Sequence, residues 1–269
     1  MAVPLKFRAL ARTLGLSLGL ISGCSQKASE RWTVPNNPNP QTILAEAEED
    51  ADAKRHENAL AKHIWYHHNA LKIAPDQYGV RLSFALSAWI ELGEAYPPAL
   101  EKLRSVRDDA GNEVREGKAS RDLFHDFAAI NKCLKEDDKT KELFSWLDAN
   151  NPSFAKSVFD IAEPSLIKAK EYRLCDKYLD TDAAFKRLLG LYREHKRIAE
   201  KPKFGKDMRE FGEEAFLHGT TTLVALLTVN GRKDEAKQIA AKALSEWDNP
   251  DFKARLEKAN NGKVPEPWP

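Results

Sequence analysis

From residue 42 to residue 261, apolar residues recur three and four positions apart almost without interruption. That spacing places them on one face of a helix, whereas a half-buried strand would alternate strictly. VRLSFALSAWIELG (80–93) reads as one strongly apolar helix. RDLFHDFAAINKCLKEDDKTKELFSWLDANNP (121–152) reads as two helices separated by the polar KEDD. HIWYHHNALKIAP (63–75) and KEYRLCDKYL (170–179) read as single helices, and residues 178–230 as two long ones around the loop KPKFG (201–205). The chain is therefore expected to be all-α.

The helical period fails at both ends. SQKASERWTVPNNPNPQ (25–41) is rich in Pro, Asn and Ser and has no period, so it is expected to be an extended, flexible tether. Residues 262–269 form a Pro-rich tail. Before the tether, Lys6, Arg8 and Arg12 precede the apolar run Leu14–Ile21. A positive segment followed by a short apolar one has the form of a signal peptide, and the run is too short for a membrane span, which takes about 20 residues. The organisation expected is a signal peptide over 1–23, a tether over 24–41, a helical domain over 42–261 and a tail over 262–269.

Ile21-Ser22-Gly23-Cys24 resembles the lipobox of bacterial lipoproteins: an aliphatic residue, a small one, Gly or Ala, then Cys. The resemblance implies that Cys24 becomes the first mature residue and carries the acyl chains. Two or three such chains give stable anchoring where one is marginal. With Ser at position 25, and not Asp, that family's sorting pattern points to the outer membrane, facing the periplasm.

WIELGEAYPPA (89–99) resembles the tetratricopeptide pattern W-x2-L-G-x2-Y through Trp89, Leu92, Gly93 and Tyr96, with Ala99 as the small residue further on. Pro97 and Pro98 depart from it. Residues 121–152 are similar to a whole repeat: Phe124, Phe127, Ala128 and Asn131 take the first positions, Thr140 and Phe144 later ones, and Pro152 the closing proline behind an Asn151 cap. Residues 231–250 match in part through Gly231, Ala236 and Ala243, and Tyr172 with Cys175 keeps a fragment of the pattern. Residues 178–230 fit poorly. The resemblance implies a right-handed α-solenoid of antiparallel helix pairs that binds a protein or peptide partner in the cell envelope.

Charge narrows the classes further. The chain has 42 Lys and Arg against 41 Asp and Glu, a net charge of +1, and loss of Lys6, Arg8 and Arg12 with the signal peptide brings it to −2. Nucleic-acid binders normally carry a basic footprint, so no nucleic-acid partner is expected. The basic stretch 193–209 intermixes seven Lys or Arg with three acids and reads as a solvated helix end. The acidic run EAEEDAD (46–52) reads as the beginning of the first helix, where acids suit the dipole.

Candidate chemistry concentrates in HENALAKHIWYHH (56–68). His63 and His67 stand four apart and His56 lies on nearly the same face, a spacing that can chelate Zn or Cu. The HExxH arrangement is absent, because Leu60 occupies the place of its second histidine. These three are metal-ligand candidates for an alternative role as a periplasmic metal handler, weighed against histidines that merely pack between helices. Cys133 and Cys175 are disulfide candidates in an oxidising compartment, weighed against burial as small apolar residues. GxSxG and Gly-rich phosphate loops are absent. Ser83 and Ser87 are expected to bond back to their own helix. No cofactor and no catalytic residue is assigned, and an enzyme whose site the sequence does not reveal is the further alternative. Trp32 in the tether and Trp268 in the tail lie outside the expected core.

Overall fold

The computed structural model describes residues 31–201 and 205–268. The signal segment, Cys24 and the first part of the tether lie outside the described residues. Among those described there are thirteen α-helices and no strand. The first five are α1 (Pro40–Asp52), α2 (His56–Ile73), the single turn α3 (Tyr78–Arg81), α4 (Phe84–Ala95) and α5 (Pro97–Arg115). The middle of the chain forms α6 (Arg121–Leu134), α7 (Asp137–Asn150), α8 (Pro152–Lys168) and α9 (Tyr172–Tyr178). The last four are α10 (Thr181–Ala199), α11 (Gly205–Val229), α12 (Lys233–Glu246) and α13 (Pro250–Asn260). No described helix is long and apolar enough to cross a membrane.

The helices pack as successive pairs, and the same turn closes four of them. Lys54, Lys135, Lys170 and Gly231 all adopt the left-handed backbone, at φ 61°, 59°, 58° and 85°. The next N–H then reaches back five residues: Arg55 to the Asp50 carbonyl at 2.7 Å, Glu136 to Asn131 at 2.8 Å, Glu171 to Leu166 at 2.9 Å, Arg232 to Leu227 at 2.8 Å. This 6→1 bond satisfies a carbonyl the ending helix would otherwise orphan. At three of these turns a lysine bears the αL strain that Gly231 avoids.

Starts are marked as consistently as stops. Pro40, Pro97, Pro152 and Pro250 open α1, α5, α8 and α13, where the missing N–H costs nothing. Asn39, Asn151 and Asn249 cap three of those helices with their side-chain oxygens. Pro97 and Pro98 thus do not interrupt a helix; they begin the second member of the α4–α5 pair. The Asn39–Pro40 start also corrects the reading of 46–52. These acids fall in the second half of α1, where the dipole disfavours them. Lys62 holds Glu46 and Asp50 at 3.0 and 2.9 Å, and Arg55 holds Asp50 at 2.6 Å.

Residues 31–39 likewise are more than a tether. The Trp32 N–H donates to Asn58 Oδ1 at 2.9 Å, and its ring meets Trp65 edge-on at 6.5 Å.

Many of the tetratricopeptide-like positions are core, whereas Tyr96 and Tyr172 are half-buried and Pro152 and Gly231 exposed. Trp89, Leu92 and Gly93 are buried, and the Trp89 indole donates to the Ala99 carbonyl at 2.9 Å. Gly93 admits α5: a Cβ there would lie 2.3 Å from Leu100 Cγ. Phe124, Phe127, Ala128, Asn131, Thr140, Phe144 and Leu147 are buried between α6 and α7. Buried Asn131 donates to Thr140 Oγ1 at 3.0 Å and accepts from Arg107 at 3.3 Å, so its amide is satisfied. In the C-terminal half the arrangement changes. α11 is buried continuously from Thr220 to Thr228, surrounded by α9, α10, α12 and α13. A helix enclosed on every side needs apolar or small residues all round, and TTTLVALLT supplies them.

Candidate functional site

The histidine-bearing helix α2 packs between α1 and α4. The three enclose a groove of about 640 Å³. Glu48 and Asp52 enter from α1, His56 and His63 from α2, and Phe84 and Glu91 from α4. Phe84 is 75% exposed, more than any other large apolar side chain described. It stands outward because the Ser83–Phe84 start of α4 turns that residue away from the face carrying Leu86 and Trp89. Residues 80–93 are thus not one helix: Leu82 and Ser83 separate α3 from α4, and Ser83 Oγ donates to the Gly79 carbonyl of α3 at 2.7 Å.

The acids of α1 divide by helix face. Glu46 and Asp50 point to Lys62 and Arg55 and are neutralised. Glu48 and Asp52, two positions away, face the groove and make no ion pair among the described residues, and neither does Glu91 opposite. The groove therefore has an aromatic side chain, an acidic wall and no lysine or arginine in its lining.

His63 lines its floor, while His67 packs on the same tryptophan, Trp89, outside the groove. His63, 2% exposed, stacks on Trp89 with centroids 5.8 Å apart and planes at 19°, and His67, 6% exposed, meets the same ring edge-on at 6.1 Å. Burial lowers the His63 pKa to about 4. Burial, and then the charges of Arg81 and His68, lower that of His67 to about 3. Both imidazoles are neutral at pH 7. His56 is half-buried beside the Tyr96 ring at 5.4 Å. Arg81 Nε donates to the His67 carbonyl at 2.6 Å, and its Nη2 lies 3.4 Å from His67 Nε2. Among the described residues no three His, Cys, Asp or Glu side chains come together as metal ligands. His63 and His67 are built into the packing on Trp89, as interhelical residues.

Cys133 and Cys175 are both free thiols. Cys133 lies against the core of α2, α4 and α5, whereas Cys175 is buried in the separate core that runs from α5 to α13. Burial raises both thiols, Cys175 to about 12, so neither is a nucleophile at neutral pH.

A larger cleft, about 710 Å³, opens beside Tyr172, Asp176 and Asn230. Its polar groups serve the fold: Asn230 donates to the Tyr172 carbonyl at 3.0 Å, and Asp176 pairs with Arg232 at 2.9 Å. Phe84 and Glu91 carry no signal of their own in the sequence. They sit in the apolar stretch 80–93, and only their outward facing distinguishes them from core. No family model matches this chain, and no curated protein or solved structure matches it significantly.

Proposed function

We propose that this chain is a lipid-anchored envelope protein, held through Cys24, whose helix pairs form a short tetratricopeptide-like α-solenoid that binds a peptide segment of a partner protein. The observation that carries the binding role is the groove of α1, α2 and α4, with exposed Phe84 beside the unpaired Glu48, Asp52 and Glu91. Its chemistry selects a segment that places an apolar or aromatic side chain on Phe84 and Lys or Arg against the carboxylates. Charge complementarity of this kind sets register and partner choice more than raw affinity.

Two features support the solenoid reading. α1, α4 and α6 are first members of their pairs and neighbour one another in that order, as stacked helix pairs would, and tetratricopeptide proteins generally bind partners on the concave face of such a stack. The groove lies between two of them. No catalytic or cofactor chemistry belongs to this reading.

The test is in-cell crosslinking of the full chain, followed by capture from detergent-solubilised membranes. Wild type is expected to enrich one envelope protein. Phe84→Ala combined with Glu91→Lys is expected to lower that enrichment at least tenfold, with melting temperature unchanged because both side chains face solvent. Equal enrichment by the variant overturns the groove as the site.

A further inference from the structure

Trp32 and the groove lie on opposite sides of α2. The segment that precedes α1 docks on the outer side: the Trp32 backbone N–H donates to Asn58 Oδ1 at 2.9 Å, and its ring meets Trp65 edge-on at 6.5 Å. Lys62 Nζ lies 6.0 Å from the centre of the Trp32 ring. His56 and His63 line the groove from the other side of the same helix. At 3.6 residues per turn, Trp65 stands about 200° round the axis from His63.

The outer side has its own composition. Ala61, Trp65, His68, Asn69 and Lys72 recur at helical spacing and form one stripe of α2 without a carboxylate. Residues 31–39, RWTVPNNPN, contain none either. Arg31, His68 and Lys72 are exposed, Val34 is 49% exposed, and Trp32 and Trp65 are half-buried. The groove side differs in charge, with Glu48, Asp52 and Glu91 in its lining. Tryptophan, aliphatic and cationic side chains without acids suit the headgroup zone of a bilayer. An amphipathic ring finds both an apolar and a wet side there, and anionic lipids attract Lys and Arg.

Chain length selects which side can meet a membrane. Residues 25–31 are all that separate Cys24 from Trp32. The steps from 24 to 32 span at most roughly 27 Å in any chain, and a random coil of that length averages about 16 Å. With the outer side of α2 against the bilayer, that span crosses no protein. With the groove side against it, the span has to pass α2 and then the walls made by α1 and α4, two helix layers of about 10 Å each. Such a detour exceeds the coil average and takes most of the full reach.

We propose, resting on acylation at Cys24, that the Trp32–Trp65 face of α2 lies on the headgroup zone of the membrane, so that the groove of α1, α2 and α4 opens away from the lipid. Trp32 is then a positioning residue. By docking on Asn58 and Trp65 it shortens the stretch between lipid and fold from residues 25–41, expected from composition, to residues 25–31. It thereby fixes which side of the helical domain faces the bilayer.

Photocrosslinking tests this on the full acylated chain, reconstituted in vesicles of phosphatidylethanolamine and phosphatidylglycerol that contain a photoreactive phospholipid. Mass spectrometry reads the acyl mass on Cys24 and the peptides that carry lipid adducts. Adducts on residues 31–34 and 61–72 are expected at least tenfold above those on residues 84–91. Trp32→Ala should lower that preference at least fivefold while keeping the acyl mass and the helical circular dichroism. Trp32→Phe, which keeps a ring against Trp65, should restore it. An acylated chain with adducts spread evenly, or concentrated on residues 84–91, overturns the orientation and leaves the anchoring in place. A chain without acyl mass overturns the anchoring, and this orientation with it. An unchanged footprint in Trp32→Ala overturns the role given to Trp32.

Discussion

Arg81 on α3 lies against Asp126 on α6, 45 positions later, with Nη2 donating to Oδ2 at 2.6 Å and Nη1 bonded to Oδ1. The pair is largely buried, with side chains 9% and 14% exposed, and the same guanidinium donates to the His67 carbonyl. One arginine therefore ties the single-turn helix to both α2 and the next helix pair. Removing one member of such a pair strands the other charge. Asp126→Ala is expected to lower the unfolding free energy by about 3–5 kcal/mol. Arg81→Met with Asp126→Leu should cost far less than the single change. Urea unfolding of wild type, Asp126→Ala, Arg81→Met, Asp126→Leu and the double variant checks this, and additive losses would show that the two residues are not coupled.

His63 and His67 make stability depend on pH. Their folded pKa values, about 4 and about 3, lie below the ordinary histidine value near 6.5 of an unfolded chain. Between those limits the unfolded chain binds protons that the folded one refuses, so stability rises with pH there. Their contribution is complete above about pH 6.5 and is lost as pH falls towards 4 for His63 and 3 for His67. Two protons correspond to a slope of about 2–3 kcal/mol per pH unit near pH 5. Denaturation midpoints between pH 4.5 and 7, taken at intervals of about half a unit, would show the slope. His63→Gln with His67→Gln should flatten it, and an unchanged slope would assign the acid sensitivity to other groups.

Gly93 fixes how closely α4 and α5 approach. A methyl group there meets Leu100 Cγ at 2.3 Å and Cδ2 at 2.7 Å. Gly93→Ala is therefore expected to destabilise by about 1–3 kcal/mol, despite the higher helix propensity of alanine. Adding Leu100→Ala should recover part of that loss, although Leu100→Ala is itself costly. Thermal unfolding of the double variant at or above the stability of Gly93→Ala is the expected result. A further full loss would mean that the two side chains do not compete for space.

How far the sequence discloses this molecule depends on whether a signal is local. Asn131, Thr140 and Phe144 are legible because a helix pair repeats its contacts at fixed offsets, and the structure buries all three between α6 and α7. Asn39 and Pro40 carry an equally local signal, a cap followed by a first-turn proline. The Pro- and Asn-rich composition around them resembles a tether and conceals it, which displaces the expected start of α1 and leaves Trp32 outside the expected core. The histidine burial is not local at all. α2 carries polar residues on every face, and what makes His63 and His67 interior is Trp89, which arrives from α4.

The anchoring proposed through Cys24 has a consequence separable from the fold. Each buried methylene contributes about 0.8 kcal/mol, so one acyl chain holds a protein reversibly and two or three hold it stably. The lipobox resemblance places all of those chains on one residue. Cys24→Ser removes the thiol to which the diacylglycerol would attach, while leaving the apolar run Leu14–Ile21 intact. The expected product is a non-acylated chain that is either unprocessed or released from the membrane. Intact-mass measurement together with detergent-phase partitioning distinguishes the two forms and reads the acyl mass on wild type. A Cys24→Ser chain that has lost residues 1–23 and still partitions fully with the membrane would place the anchor elsewhere. If the anchor positions the groove beside its partner, the same variant should also lose the crosslinks that Phe84 and Glu91 support, although its helical domain folds unchanged.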